Sequence, residues 1–348
     1  MAYTTIDNPA EHFITNIFTG NGATGQTITT GFQPDLVWVR NRAEASGGSI
    51  YNSTVGHTLF LQSTNSNGDA SDSTDDFTAF ISTGFTVDND SNLTNSDGVA
   101  MVSWSWKANG GSRTTNAEDG DNPAGGYQAN TTAGFSIVDY VGTGGAGTKA
   151  HGLGAIPEVV IIKNRDRSAQ WAVYHKDIGA TKFLELSTTA AEGTDAMFND
   201  TAPTSTVFSV GGSSNTTNAD GENLMAYCFK AIQGYSKFGF YTGNGDADGT
   251  FVYTGFKPAW VMWKRTDGGT NMWQIMDTTR NTYNVMDKYL QANATNAEAD
   301  YDFVDFLSNG FKHRHTSSHS NGDGETYVYM AFAEQPFVTS GGVPCTAR

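Results

Sequence analysis

A chain of 348 residues with 40 glycines and only 16% charged side chains is long enough for two or three domains, and it favours short strands joined by tight turns. Its 20 Lys and Arg stand against 36 Asp and Glu, a formal net charge of −16; this opposes the counterion release that holds proteins on phosphate backbones and excludes nucleic acid as a partner. No apolar run approaches the roughly 18 residues needed to cross a bilayer, and residues 1–13 have neither the basic nor the apolar region of a signal peptide, so synthesis in a cytoplasm without a leader is expected.

Bursts of alternating apolar and polar residues occur near 13–18, 26–30, 35–41, 49–52, 57–62, 77–81, 84–88 and 99–107. That is the strand density of a β-sandwich, expected over residues 1–108. Residues 109–132 are rich in Gly, Asn and Thr and read as a flexible linker or arm. Further sandwiches are expected over 133–233 and 234–336. An extended tail over 337–348 is expected to dock onto a neighbour. Two cysteines, Cys228 and Cys345, are too few for a disulfide framework and read as free thiols.

Self-comparison supports this division. The first copy opens with Phe18-Thr19-Gly20-Asn21-Gly22 and continues into Pro34-Asp35-Leu36-Val37-Trp38-Val39-Arg40. The second has Tyr140-Val141-Gly142-Thr143-Gly144 and Pro157-Glu158-Val159-Val160-Ile161-Ile162-Lys163; the third has Tyr241-Thr242-Gly243-Asn244-Gly245 and Pro258-Ala259-Trp260-Val261-Met262-Trp263-Lys264. The opening proline and closing aspartate lie 63, 63 and 65 residues apart (Pro34 to Asp97, Pro157 to Asp220, Pro258 to Asp323). The expected fold is therefore all-β, with three tandem β-sandwiches of about 100 residues each.

Gly22, Gly98, Gly221, Gly245 and Gly324 lie in Asn-Gly or Asp-Gly pairs and read as structural turns that need positive φ. Trp104 and Trp106 share one face of a strand, as Tyr227 and Phe229 do, with Tyr329 and Phe332 as the third pair after a slip; these read as core anchors. Trp38, Trp171, Trp260, Trp263 and Trp273 are the candidates for an exposed sugar platform. Trp260 and Trp263 fall on opposite faces of their strand, so one is expected to point outward.

The carboxylate-rich loops Asp69 to Asp76, Asp88-Asn89-Asp90 and Asn244 to Gly249 offer oxygen ligands for Ca²⁺, although none matches an EF-hand. His313 and His315 would share a strand face and, in a trimer, could surround a transition metal on the three-fold axis. Solvated loops and exposed polar residues are the plainer readings, and no cofactor is expected. No Gly-x-Ser-x-Gly or His-Glu-x-x-His motif occurs, and a non-enzymatic protein is expected.

The Gly-Phe-x-Pro-Asp-Leu-Val-Trp-Val-Arg strand, the Ser82-Thr83-Gly84-Phe85 and Ser308-Asn309-Gly310-Phe311 turns, the Trp106-Lys107-Ala108 close and the ending from Tyr329 to Phe337 resemble repeats of virion proteins of marine tailed bacteriophages, cyanophages included. The second copy departs from the pattern, with Phe208-Ser209-Val210-Gly211 at the turn. The resemblance implies that the sandwiches are jelly-roll or lectin-like and that they build a homo-oligomeric structural protein on the virion surface, in a tail, fibre or capsid appendage. Its expected partners are copies of itself and other virion proteins, with no membrane insertion. A receptor-recognition adhesin for host surface glycan is the alternative and a polysaccharide depolymerase the lesser one.

Overall fold

The computed structural model describes residues 2–89, 91–212 and 214–346, and the protein is all-β. The first copy supplies β1 (Phe13–Thr19), β2 (Gln26–Thr29), β3 (Leu36–Asn41), β4 (Ser49–Asn52), β5 (Gly56–Leu61), β6 (Ala70–Ser71), β7 (Phe77–Ile81), β8 (Gly84–Val87) and β9 (Ala100–Trp106). The second supplies β10 (Thr114–Asn116), β11 (Gly125–Asn130), β12 (Phe135–Val141), β13 (Gly147–Ala150), β14 (Val159–Asn164), β15 (Ala172–His175), β16 (Leu184–Glu185), β17 (Val207–Val210) and β18 (Asn223–Phe229). The third supplies β19 (Ser236–Thr242), β20 (Phe251–Tyr253), β21 (Phe256–Arg265), β22 (Gln274–Asp277), β23 (Met286–Gln291), β24 (Ala299–Leu307), β25 (Gly310–His313) and β26 (Thr326–Pro336).

Strand order is β1-β9-β3-β4-β5-β6 in the first large sheet, β10-β11-β12-β18-β14-β15-β16 in the second and β19-β26-β21-β22-β23-β24-β25-β20 in the third. In each, a copy's opening strand pairs with its closing strand, which pairs with the proline strand. Small outer sheets, β2-β8-β7 and β13-β17, lie over the first two; in the third, β24-β25-β20 continue the large sheet.

The division into copies does not divide the core. Alternation sends Leu36 and Trp38, Val159 and Ile161, and Trp260 and Met262 inward into one shared cluster. The opposite faces, Val37 and Val39, Val160 and Ile162, and Val261 and Trp263, pack beneath the outer strands in three satellite clusters. The proline strands are therefore buried on both sides. Phe332 meets Trp106 at 5.8 Å and Phe229 at 6.0 Å, so rings from the three closing strands converge. The in-phase partner of Trp104 and Tyr227 is Met330, not Tyr329, which faces a satellite cluster; the slip expected there is absent.

Two expected segments behave differently. The stretch 109–132 is not a free linker, because β11 pairs with residues 135–140 of β12 and β10 pairs with β11. The tail, through Thr346, turns back on its own chain: Val338 bridges Pro344, Ser340 N donates to Asp7 Oδ1 at 2.6 Å, and Phe337 meets Tyr3 ring to ring at 6.4 Å. Ala347 and Arg348 lie outside the described residues.

Candidate functional site

Six residues after each copy's proline stands a cation: Arg40, Lys163 or Lys264. All three are fully buried. Arg40 donates to Gln291 O at 2.7 Å and Ala294 O at 3.0 Å, Lys163 to Ser66 O at 3.0 Å, and Lys264 to Thr189 O at 3.0 Å. Each copy thus reaches into another, first to third, second to first and third to second. Burial lowers both lysines to about 8.

These seams also account for the tryptophans. Trp38, Trp171, Trp260, Trp263 and Trp273 are each at most 6% exposed, so none is a surface platform. Trp171 Nε1 donates across a seam to Gln62 O at 3.1 Å and Trp273 Nε1 to Glu185 O at 2.9 Å. Trp260 and Trp263 do lie on opposite faces, but both faces are covered.

The histidine pair separates as well. β25 ends at His313, which is buried between Tyr241 (4.6 Å) and Trp263 (5.6 Å), and desolvation lowers its pKa to about 3. His315 lies beyond the strand, with Nε2 2.9 Å from Tyr301 Oη. An inward ring and a loop ring do not converge on an axial metal. Of the acidic loops, Asp69 pairs with Arg165 at 2.5 Å, Asp72 accepts from the Phe77 amide at 2.9 Å, and Asp248 pairs with Lys312. Asp90 lies outside the described residues. Among the described residues no group of three or more His, Cys, Asp or Glu is placed to hold a metal. Gly22, Gly98, Gly221, Gly245 and Gly324 all have positive φ, between 59° and 71°.

The open feature of the molecule is a sheet edge. β12 is covered by β11, held down by Gln128, whose Nε2 donates to Ser53 Oγ at 2.9 Å and Thr54 Oγ1 at 2.6 Å. The matching edge β1 likewise has no strand on its outer side among the described residues, but there Thr279 Oγ1 donates to Thr15 O at 3.4 Å. At the third, β19, no strand lies on the side away from β26 among the described residues. A groove runs there in adjoining sections of about 360, 340 and 290 Å³. One wall is the turn Lys176-Asp177-Ile178, and the other is built from β19 and β20.

Three aromatics open onto this groove: Phe240 (58% exposed), Phe251 (44%) and Tyr253 (48%). Phe251 and Tyr253 point out together because Val252 between them points into the core. Lys237 Nζ donates to Tyr253 O at 2.7 Å and sits 5.2 Å from the centre of its ring. Lys176 pairs with Glu158 at 2.6 Å. Burial lowers the Lys237 pKa, with Lys176 adding repulsion, and burial raises that of Asp177. The result is a groove in which exposed aromatic rings stand beside the charged side chains of Lys176, Asp177 and Lys237.

These residues were not among the candidates expected from the sequence, although it carries a signal for them. Phe251 and Tyr253 stand where the first copy has Thr27 and Thr29 and the second has Thr148 and Ala150. Aromatics confined to one copy cannot be a shared core position.

No curated protein and no solved structure matches the chain. A family model described as a domain of unknown function, DUF7483, matches residues 8–336. That span takes in all three large sheets and the shared core between them, and the chain belongs to the DUF7483 family.

Proposed function

We propose that the protein is a non-catalytic structural component of a bacteriophage virion, forming or decorating a tail, fibre or capsid appendage. The observation that carries this reading is the single core shared by three sheets. Interlocked cations and indoles tie the three sheets to one another, a property suited to a building part that must hold its shape under load. The motif resemblance supports the same reading. Labelled protein imaged on purified virions tests it: density at a tail, fibre or capsid is expected, and absence from the particle overturns it.

A second reading, a host-glycan adhesin of the virion, is favoured by Phe251 and Tyr253 standing side by side beside Lys237. A glycan screen with a Tyr253→Ala control tests it, and binding abolished by that substitution is the supporting result.

A further inference from the structure

We propose that the open edge of β19 receives an extended strand from a partner polypeptide, added antiparallel as β11 is added to β12. The inference rests on the reading of the protein as an assembly part and names how one partner attaches.

Backbone geometry supports it first. Gly243 N donates to Glu325 O and Ala333 N donates to Tyr235 O, so the odd-numbered residues from 235 to 243 face β26. N–H and C=O groups alternate sides along a strand. Those of Phe238 and Phe240 therefore point into the groove, a ready template for another chain.

The second copy shows what such an edge takes. By repeat register, Phe238 and Phe240 correspond to Ile137 and Asp139, which pair with Gln128 and Gly126 of β11. Beside that edge stand Ser53 and Thr54, which hold the Gln128 amide. Their counterparts at the third edge are Lys176 and Asp177, which line the groove. The shape filled by the chain's own strand in one place is present, and open, in another.

The register also specifies the partner. Its residue opposite Phe240 is small, like Gly126 opposite Asp139. Its residue opposite Phe238 carries an amide or a charge that reaches Lys176 and Asp177, as Gln128 reaches Ser53 and Thr54. Its flanks are apolar enough to cover Phe251 and Tyr253, which a solvated surface would not otherwise gather beside Phe240.

The test uses the full chain and a synthetic peptide with the sequence of residues 122–131, the chain's own β11 segment. Amide exchange is followed with and without peptide. Exchange at Phe238 and Phe240 is expected to slow by roughly tenfold or more at saturation. A peptide N-methylated at the positions of Gly126 and Gln128 is expected to give no protection, because both amides face the paired edge. The variant Phe240→Pro removes an outward N–H without breaking a bond to β26 and is expected to lose the protection. Should that variant fail to fold, the N-methylated peptide still decides. No protection, protection that survives N-methylation, or protection by oligosaccharides alone each overturns the proposal. Failure of this test leaves the virion reading standing, and absence from virions leaves strand addition standing.

Discussion

Trp104 Nε1 donates to Asp277 Oδ2 at 3.1 Å, joining the closing strand of the first copy to the fourth strand of the third sheet. The same carboxylate accepts from Arg280 Nε at 2.6 Å, and the Arg280 guanidinium lies 5.7 Å from the centre of the Trp104 ring. At the matching position of the first copy, Asn52 Nδ2 reaches Tyr227 Oη of the second at 3.5 Å.

Because Asp277 and Arg280 are both buried, Asp277→Ala leaves a guanidinium in the core with its main counterion gone. A loss of about 3–5 kcal/mol is expected, read from denaturant unfolding. Asp277→Asn keeps an acceptor for the indole and is expected to lose less.

Arg40→Met deletes the donors that satisfy Gln291, Ala294 and Asn296 carbonyls. The expected cost is roughly 2–5 kcal/mol. Since the three sheets share one core, calorimetry of both the parent and this variant should show one transition. Three separable transitions would rule out a shared cooperative unit.

Acid sensitivity follows from the buried imidazoles. His313 and His175 have pKa values lowered by burial to about 3 and about 4. Both stay neutral in the fold, whereas the unfolded chain takes up protons below the ordinary value of 6.5. Stability is therefore full above about pH 6.5 and falls as pH drops toward the folded values. Both ring nitrogens of His313 lack partners, so His313→Phe is expected to remove its share, about 3 kcal/mol at pH 4, with little cost at pH 7. Melting curves at the two pH values check this.

Gly98, Gly221 and Gly324 have φ of 71°, 70° and 71°, and an added Cβ at each would meet nothing within 4 Å. Valine there is resisted by backbone conformation alone, so a loss of about 1–2 kcal/mol is expected at each. Asparagine, which tolerates this region, should cost less. Equal melting of the valine and asparagine variants would refute the backbone explanation.

Much of this architecture is written locally. Strand positions such as 49–52 and 77–81 follow from alternation, and the turns at Gly98, Gly221 and Gly324 from the need for positive φ, because both are properties of a few consecutive residues. The identity of the cation six residues after each proline is equally plain in the sequence. Its partners are not, since the carbonyls that Arg40 binds lie about 250 residues away. Alternation assigns Trp260 and Trp263 to opposite faces, but says nothing of what covers each face, and tertiary packing buried both. The same holds for β11: its glycines and polar residues read as a linker because what makes them a strand is the edge of β12 beside them. The sequence by itself determined strands and turns. Only the tertiary structure decided that the copies share one core and that the edge of β19 stays open while that of β12 is covered, because burial and strand pairing are made between residues far apart in the chain.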